Sequence, residues 1–62
     1  MNKDELELIY REVLSTPEAT EKFEFIVFCA PFVEVRRRAD GRLGTLEFQH
    51  SPRFYFNFIE DR

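Results

Sequence analysis

The sequence predicts an α+β fold, in which an N-terminal α-helix packs on a three- to four-stranded antiparallel β-meander. Apolar residues recur at helical spacing near the N-terminus and at a spacing of two from residue 22 onward. Turn sequences separate the alternating segments, as is typical of strands joined by short loops. With 62 residues, 44% of them hydrophobic and 16% aromatic, the chain has the composition of one small domain covering residues 1–62.

The N-terminal helix is predicted over about residues 3–15. Asn2 is a favourable N-cap, and Glu5 three residues later completes a capping-box pair. Pro17 disfavours helical geometry in the residue before it, so the helix should end at about residue 15. One further helical turn can begin at the proline. Leu8 points away from the apolar stripe of the helix. The stripe that should face the sheet consists of Leu6, Ile9, Tyr10, Val13 and Leu14.

Four later segments alternate with a period of two and are predicted to be strands. They cover about residues 22–30, 32–38, 43–49 and 53–59. The sequence leaves open whether the first two segments form a hairpin or one strand bent at Pro31. Asp40-Gly41 predicts a two-residue hairpin turn, and the apolar pattern then places Val35 opposite Leu46.

The two faces of the predicted sheet should differ in cover. The helix should cover the face that holds Phe25, Val27, Val33, Val35, Leu46, Phe48, Phe54, Phe56 and Phe58. One helix cannot cover both faces, so the opposite face should expose large apolar side chains, which is typical of surfaces that bind a partner. The predicted partner-binding residues are Ile26, Phe28, Phe32, Arg36, Arg38, Tyr55 and Ile59.

These features favour a small, non-catalytic protein-interaction or regulatory module. A chain of 62 residues buries a small core, and association with another chain is a common source of additional stability. The partner is predicted to be another protein or a second copy of the chain, and a homodimer is the simplest form. Arg36 and Arg38 would orient the contact against an acidic partner surface. A small accessory subunit of a larger assembly is an alternative.

A nucleic-acid-binding module is a further alternative, since basic side chains cluster around the predicted hairpin. Its candidate contacts are Arg36, Arg37, Arg38, Arg42, Arg53 and Tyr55. Residues 1–30, however, contain seven acidic and three basic residues, which argues against a broad nucleic-acid surface. Arginines that solubilise the tip of a hairpin explain the same cluster without a ligand.

The sequence offers no arrangement typical of an enzyme, a metal site or a cofactor site. Its one cysteine, Cys29, alternates with phenylalanines and is expected to be a buried structural thiol. Its one histidine, His50, lies in a predicted turn without an acidic partner to orient it, and should be solvated. Gly41 and Gly44 are the only glycines, too few for a phosphate-binding loop. We therefore expect no catalysis, no metal ion, no cofactor and no small-molecule substrate.

The chain is predicted to be cytoplasmic and to contact no membrane. The polar N-terminal residues lack the apolar stretch of a signal peptide. The longest uncharged apolar run, residues 25–33, has nine residues and is far shorter than a membrane-spanning helix. A single cysteine is more typical of a reducing compartment than of a secreted small domain.

Overall fold

The computed structural model describes residues 1–61, which form two helices and one five-stranded antiparallel sheet. The strand order is β1-β5-β4-β3-β2. The predicted α+β class, with an N-terminal helix packed on a meander, is confirmed, and the strands number five instead of three or four. The elements are α1 (Lys3–Ile9), β1 (Val13–Leu14), α2 (Thr16–Lys22), β2 (Phe23–Cys29), β3 (Phe32–Arg37), β4 (Leu43–Gln49) and β5 (Phe54–Glu60).

The first helix begins as predicted but ends earlier. The Asn2 side chain accepts from the Glu5 amide at 2.9 Å, and the Glu5 carboxylate accepts from the Asn2 amide at 3.1 Å. The predicted continuation to residue 15 is wrong, because Tyr10 is an extended C-cap and Val13–Leu14 form β1. Successive residues of a strand point to opposite faces, so β1 buries side chains on both faces of the sheet at once, which one helix stripe could not do.

The second helix begins with another capping box and is longer than one turn. The Glu18 amide donates to the Ser15 hydroxyl at 3.3 Å, and the Ser15 amide donates to the Glu18 carboxylate at 2.9 Å. Pro17 lies in the first turn, where it has no hydrogen bond to lose. Ala19 is the one buried residue of α2 and is fully inaccessible, so this small side chain sets how closely the helix packs on the sheet.

Both faces of the sheet are partly covered, each by a different helix. The core face, under α2, holds a buried cluster of Leu14, Ala19, Phe23, Val33, Val35, Leu46, Phe48 and Tyr55, with Phe25 and Phe58 packed against it. The outer face, under α1, holds a second cluster of Leu6, Val13 and Phe56, with Tyr10 and Phe54 packed against it. The predicted single apolar face therefore divides, and Phe54 and Phe56 lie on the other side from Phe58.

The β3–β4 hairpin has a different register from the predicted one. Val33 lies opposite Leu46 and Val35 opposite Gly44, a shift of two residues that leaves every side chain on its predicted face. The shift avoids a like-charge pair, because Glu34 faces Thr45 and not a second glutamate. It also brings Gly44 under the Phe58 ring, where an added Cβ would lie 2.6 Å from a ring carbon.

The turn of that hairpin is longer than the predicted two residues. The Arg37 amide donates to the Arg42 carbonyl at 2.8 Å, which closes a four-residue loop of residues 38–41. Gly41 has a φ of 72°, in the left-handed region that glycine adopts without strain.

Two bulges change which residues share a face. In β2, the register shifts between Phe25 and Val27, so Phe28 pairs with Val33 on the core face and Val27 moves to the outer face. The predicted placement of Val27 beside Phe25 is therefore wrong. In β5, the register shifts around Asn57, whose φ is 57°. The β2 and β3 segments form a hairpin, which resolves the alternative left open by the sequence.

Candidate protein-interaction surface

The outer face is open where α1 does not reach, over β2, β3 and β4 and the C-terminal part of β5. Two apolar patches lie there. One consists of Val27, Cys29 and Phe32, with Cys29 directly opposite Phe32 across the β2–β3 pair. The other consists of Leu43 and Ile59 on β4 and β5. The large side chains of these patches are between 41% and 58% exposed, so each patch offers apolar surface to a partner.

Two half-buried glutamates lie between the apolar patches. Glu34 faces Thr45, and Glu47 faces Phe32, so the two carboxylates are diagonal neighbours on adjacent strands. Neither forms an ion pair with any of residues 1–61. The one side-chain hydrogen bond to this pair from the described residues is weak, with the Asn57 amide donating to Glu47 at 3.5 Å. The centre of the open surface is therefore acidic.

Among the described residues, the same face carries one arginine, which is already paired with a glutamate. Arg36 lies opposite Glu24 across the β2–β3 pair, and its Nε is 3.4 Å from the Glu24 carboxylate. Three glutamates outnumber the one arginine and the N-terminal ammonium that Gln49 holds, so this face is net negative. A negative surface attracts basic partners and repels acidic ones. The predicted orientation of Arg36 and Arg38 against an acidic partner is therefore not favoured by the charges around them.

The predicted partner-binding residues do not all lie on one surface. Phe32 and Ile59 lie in the apolar patches, and Ile26, 46% exposed, lies at the β2 bulge on the edge of the sheet. Phe28 lies on the core face, half exposed, with its ring 5.5 Å from Phe48. The expectation that Tyr55 is an exposed contact is wrong, because Tyr55 lies opposite Phe48 on the core face and is 2% exposed.

The predicted contact residues omit five residues of the open surface: Val27, Cys29, Leu43, Glu34 and Glu47. The last two were visible in the sequence as acids that alternate with apolar strand residues. Val27 was not visible, because a bulge changes the side of every later residue in its strand. Arg38 is absent from the surface because its Nε donates to the Thr20 carbonyl at 3.1 Å, which ties the β3–β4 loop to α2.

The arginines proposed for nucleic-acid contact are largely paired within the chain. Arg37 makes a bidentate contact to Asp40, at 2.7 and 3.1 Å, and Arg42 lies 2.9 Å from Glu60. The hydrogen bond from Arg37 lowers the pKa of the Asp40 carboxyl to about 2, and the same contact raises the pKa of Arg37. Arg53 lies over the Phe48 ring, with its guanidinium carbon 5.0 Å from the centroid. The carboxylates beside Arg37 and Arg42 neutralise charge that would otherwise meet phosphates.

The cysteine and the histidine, the two residues considered for catalysis, are both exposed. Cys29 is exposed, so the expectation of a buried thiol is wrong, again because the bulge turns it to the outer face. His50 is exposed, as predicted, and its Nδ1 lies 2.8 Å from the Arg53 guanidinium. Within residues 1–61, no group of three or more His, Cys, Asp or Glu is placed to hold a metal ion. Two surface grooves, both lined in part by Arg37 and Phe58, include neither residue.

Neither helix of residues 1–61 has the length and apolar content required to cross a membrane. Comparison of the chain with protein-family models, with curated protein sequences and with solved structures found no significant match. The charge and shape of the open outer face are therefore the features that bear on its function.

Proposed function

We propose that this chain is a non-catalytic protein-interaction module that binds a basic, amphipathic segment of a partner protein on its open outer face. The observation that supports this proposal is an acidic pair, Glu34 and Glu47, between two exposed apolar patches. A partner segment with an Arg or Lys between apolar residues would match this pattern. The apolar contacts would supply affinity, and the charges would supply orientation and association rate.

The acidic pair also makes discrimination between partners possible. Two diagonal carboxylates that form no salt bridge within residues 1–61 repel each other, and a basic side chain placed between them relieves that repulsion. An acidic residue at the same position would increase it. The proposed module therefore selects its partner by charge sign, while the patches around Phe32 and Ile59 accept several apolar side chains of similar size.

A pair of synthetic peptides tests this proposal. The first is a short amphipathic peptide of Leu and Arg, and the second has Glu at each Arg position. We expect the Arg peptide to shift the backbone NMR signals of Glu34, Thr45 and Glu47, with an affinity that falls as salt is added. Equal binding of both peptides, or shifts confined to the core face, would contradict the proposal.

A charge-reversed variant gives the matched control. In Glu34→Lys/Glu47→Lys, the Arg peptide should bind at least roughly tenfold more weakly and the Glu peptide should bind instead. Glu7→Lys/Glu21→Lys makes the same change in net charge at exposed helix positions and should leave both affinities nearly unchanged. If both double variants weaken the Arg peptide equally, net charge alone explains the attraction and the proposed surface is wrong.

The alternative functions predict different results in one simpler measurement. The native mass and the 260/280 nm absorbance ratio are measured on protein purified without nuclease. Co-purifying nucleic acid that is lost in Arg36→Glu/Arg38→Glu would support the nucleic-acid module. A stable mass far above that of a dimer would support an accessory subunit. The proposed module should show neither, because its main basic side chains are paired with carboxylates of the same chain.

A further inference from the structure

The sheet has one short edge and one long, open edge. β1, at one end, has two residues and joins α1 to α2. β2, at the other end, has seven residues and a single neighbouring strand, β3, in the described chain. A long edge strand presents a row of unpaired backbone groups, which is a template for pairing with another extended segment.

The hydrogen-bond pattern indicates which β2 backbone groups point outward. The Arg38 amide donates to the Lys22 carbonyl at 2.9 Å, so these two residues form a hydrogen-bonded pair. Bonded and non-bonded pairs alternate along an antiparallel ladder, so Glu24 is the next β2 residue that bonds to β3. The N–H and C=O of Phe25, between β2 residues that bond to β3, therefore point away from the sheet.

Beyond the bulge in β2, the backbone groups of Phe28 also point to the open edge. The Phe48 amide donates to the Pro31 carbonyl at 2.9 Å, so Val33, two residues later, directs its backbone groups toward β4. Phe28 is the β2 partner of Val33, and this pair is not hydrogen-bonded. Phe25 and Phe28 thus both offer a backbone donor and acceptor at the open edge, although both rings lie on the core face.

The side chains along this edge are apolar and partly exposed. From Phe25 to Cys29 the strand contains no charged residue, and Ile26, Val27 and Phe28 are 46%, 52% and 51% exposed. The Phe28 ring packs edge-on against Phe25, with 5.6 Å between centroids, so one flank of this aromatic pair is open at the edge. An added strand would cover that flank and extend the core cluster.

We propose that β2 pairs in antiparallel orientation with β2 of a second copy of this chain, so that two sheets join into one of ten strands. In the two-fold register, Phe25 of each copy lies opposite Phe28 of the other, because the outward backbone groups of these residues then face each other. Ile26 lies opposite Val27 of the second copy, so the central pairs are all apolar. This proposal does not depend on the function assigned to the outer face.

Charge favours a second copy at this edge. Glu24, the one charged residue of β2, is already 3.4 Å from Arg36, so two joined edges bring no unmatched like charges together. Stacking two outer faces would instead bring Glu34 and Glu47 of both copies into one interface, and like charges in contact are destabilising. Because each copy has only one long open edge, the two-fold pair closes and leaves β2 with no exposed side.

Two Phe→Lys variants with similar exposure test the proposal. Sedimentation equilibrium of the wild-type chain should show a concentration-dependent rise from 7.5 kDa to twice that mass. Phe28→Lys should raise the dimer dissociation constant at least roughly tenfold, because a charge at the edge opposes strand pairing. Phe32→Lys, 48% exposed on the outer face, should leave it unchanged while weakening the Arg peptide. Ile26→Lys replaces Phe28→Lys if circular dichroism shows that the latter does not fold.

Amide hydrogen exchange identifies the interface directly. The amides of Phe25 and Phe28 should exchange more slowly as the protein concentration rises, since both would donate across the two-fold axis. A monomeric wild-type chain at millimolar concentration, or exchange at these amides that does not depend on concentration, would overturn the proposal. A dimer that Phe32→Lys dissociates and Phe28→Lys does not would overturn it too, and would assign self-association to the outer face.

Discussion

The helix α1 is anchored to the sheet by one buried side chain, which makes its docking directly testable. Leu6 is 1% exposed and packs with Val13 and Phe56, whereas Leu8 on the same helix is 87% exposed. Replacing a buried leucine by alanine typically costs ~2–5 kcal/mol, because transfer free energy is lost and a cavity remains. For Leu6→Ala we expect about 3 kcal/mol. A 62-residue domain has a total stability of ~3–9 kcal/mol, so this loss is a large fraction of it.

Urea denaturation followed by circular dichroism measures this loss. With an m-value of ~1 kcal/mol per M, at the lower end for small proteins, Leu6→Ala should lower the urea midpoint by about 3 M. Leu8→Ala is the matched control and should change stability by less than ~0.5 kcal/mol, because its side chain is in water in both states. Equal effects of the two substitutions would refute the docking of α1 through Leu6.

A third substitution, Ile9→Ala, tests whether α1 ends at Ile9, as the structure shows, or continues, as the helical periodicity of the sequence predicts. Ile9 belongs to the apolar stripe predicted from periodicity, yet it is 62% exposed at the end of α1. Ile9→Ala should therefore cost less than ~1 kcal/mol, not the ~2–5 kcal/mol of a buried isoleucine. If Ile9→Ala and Leu6→Ala are equally destabilising, the helix continues past Ile9 as the sequence predicts and the observed end of α1 is wrong.

Two further predictions concern the hairpin between β3 and β4. Gly44→Ala should destabilise by ~1–3 kcal/mol, because the new Cβ would lie 2.5 Å from the Ile59 carbonyl oxygen and 2.6 Å from the Phe58 ring, and Gly44→Asn should be no better. Gly41→Asn should be better tolerated than Gly41→Ala, because that site has space but a φ of 72°. The Asp40 carboxyl, held by Arg37, should titrate near pH 2 by NMR and not near its ordinary value of 3.8. Its contribution to stability is complete above pH 3.8 and is lost as the pH falls toward 2.

Controls for these two predictions use the same urea assay. Asp40→Asn should remove the acid dependence between pH 4 and 2 that this carboxyl contributes, and titration of Asp40 at its ordinary pKa would show that the contact with Arg37 does not persist in solution. For the glycines, an equal loss in Gly44→Ala and Gly41→Ala that asparagine relieves at both positions would indicate backbone strain, and would rule out the close approach of Phe58.

The alternation of apolar and polar residues alone predicts only part of the open outer face. Phe32 and Ile59 were predicted correctly to lie there, since no bulge separates Phe32 from the hairpin that defines its face. Phe28 is misplaced because it lies beyond the bulge in β2, and Tyr55 because it lies directly opposite Phe48 on the core face. A bulge inserts one residue and reverses the facing of everything beyond it, and nothing local in the sequence marks where it occurs.

Structure that depends on interactions between near neighbours, by contrast, can be predicted from the sequence. The capping box of Asn2 and Glu5 and the four long strands depend on near neighbours in the chain, whereas the end of α1 at Ile9, well before Pro17, does not follow the local pattern. The alternating pattern also assigned faces correctly in β3 and β4. These features determined the α+β class, since an amphipathic helix and alternating strands can bury their apolar sides only against each other.

Only the tertiary structure decided register, bulges and the division of the core. A hairpin shifted by two residues keeps every side chain on the same face, so the apolar pattern cannot distinguish the two registers. In the register that forms, Gly44 lies opposite Val35 and under the Phe58 ring, where a larger residue would not fit. Val13 and Leu14 suit a helix by periodicity, yet they form a strand because β5 offers burial on both faces. The register, the bulges and the division of the core are stabilised by contacts between residues far apart in the chain. A local sequence pattern does not contain these contacts.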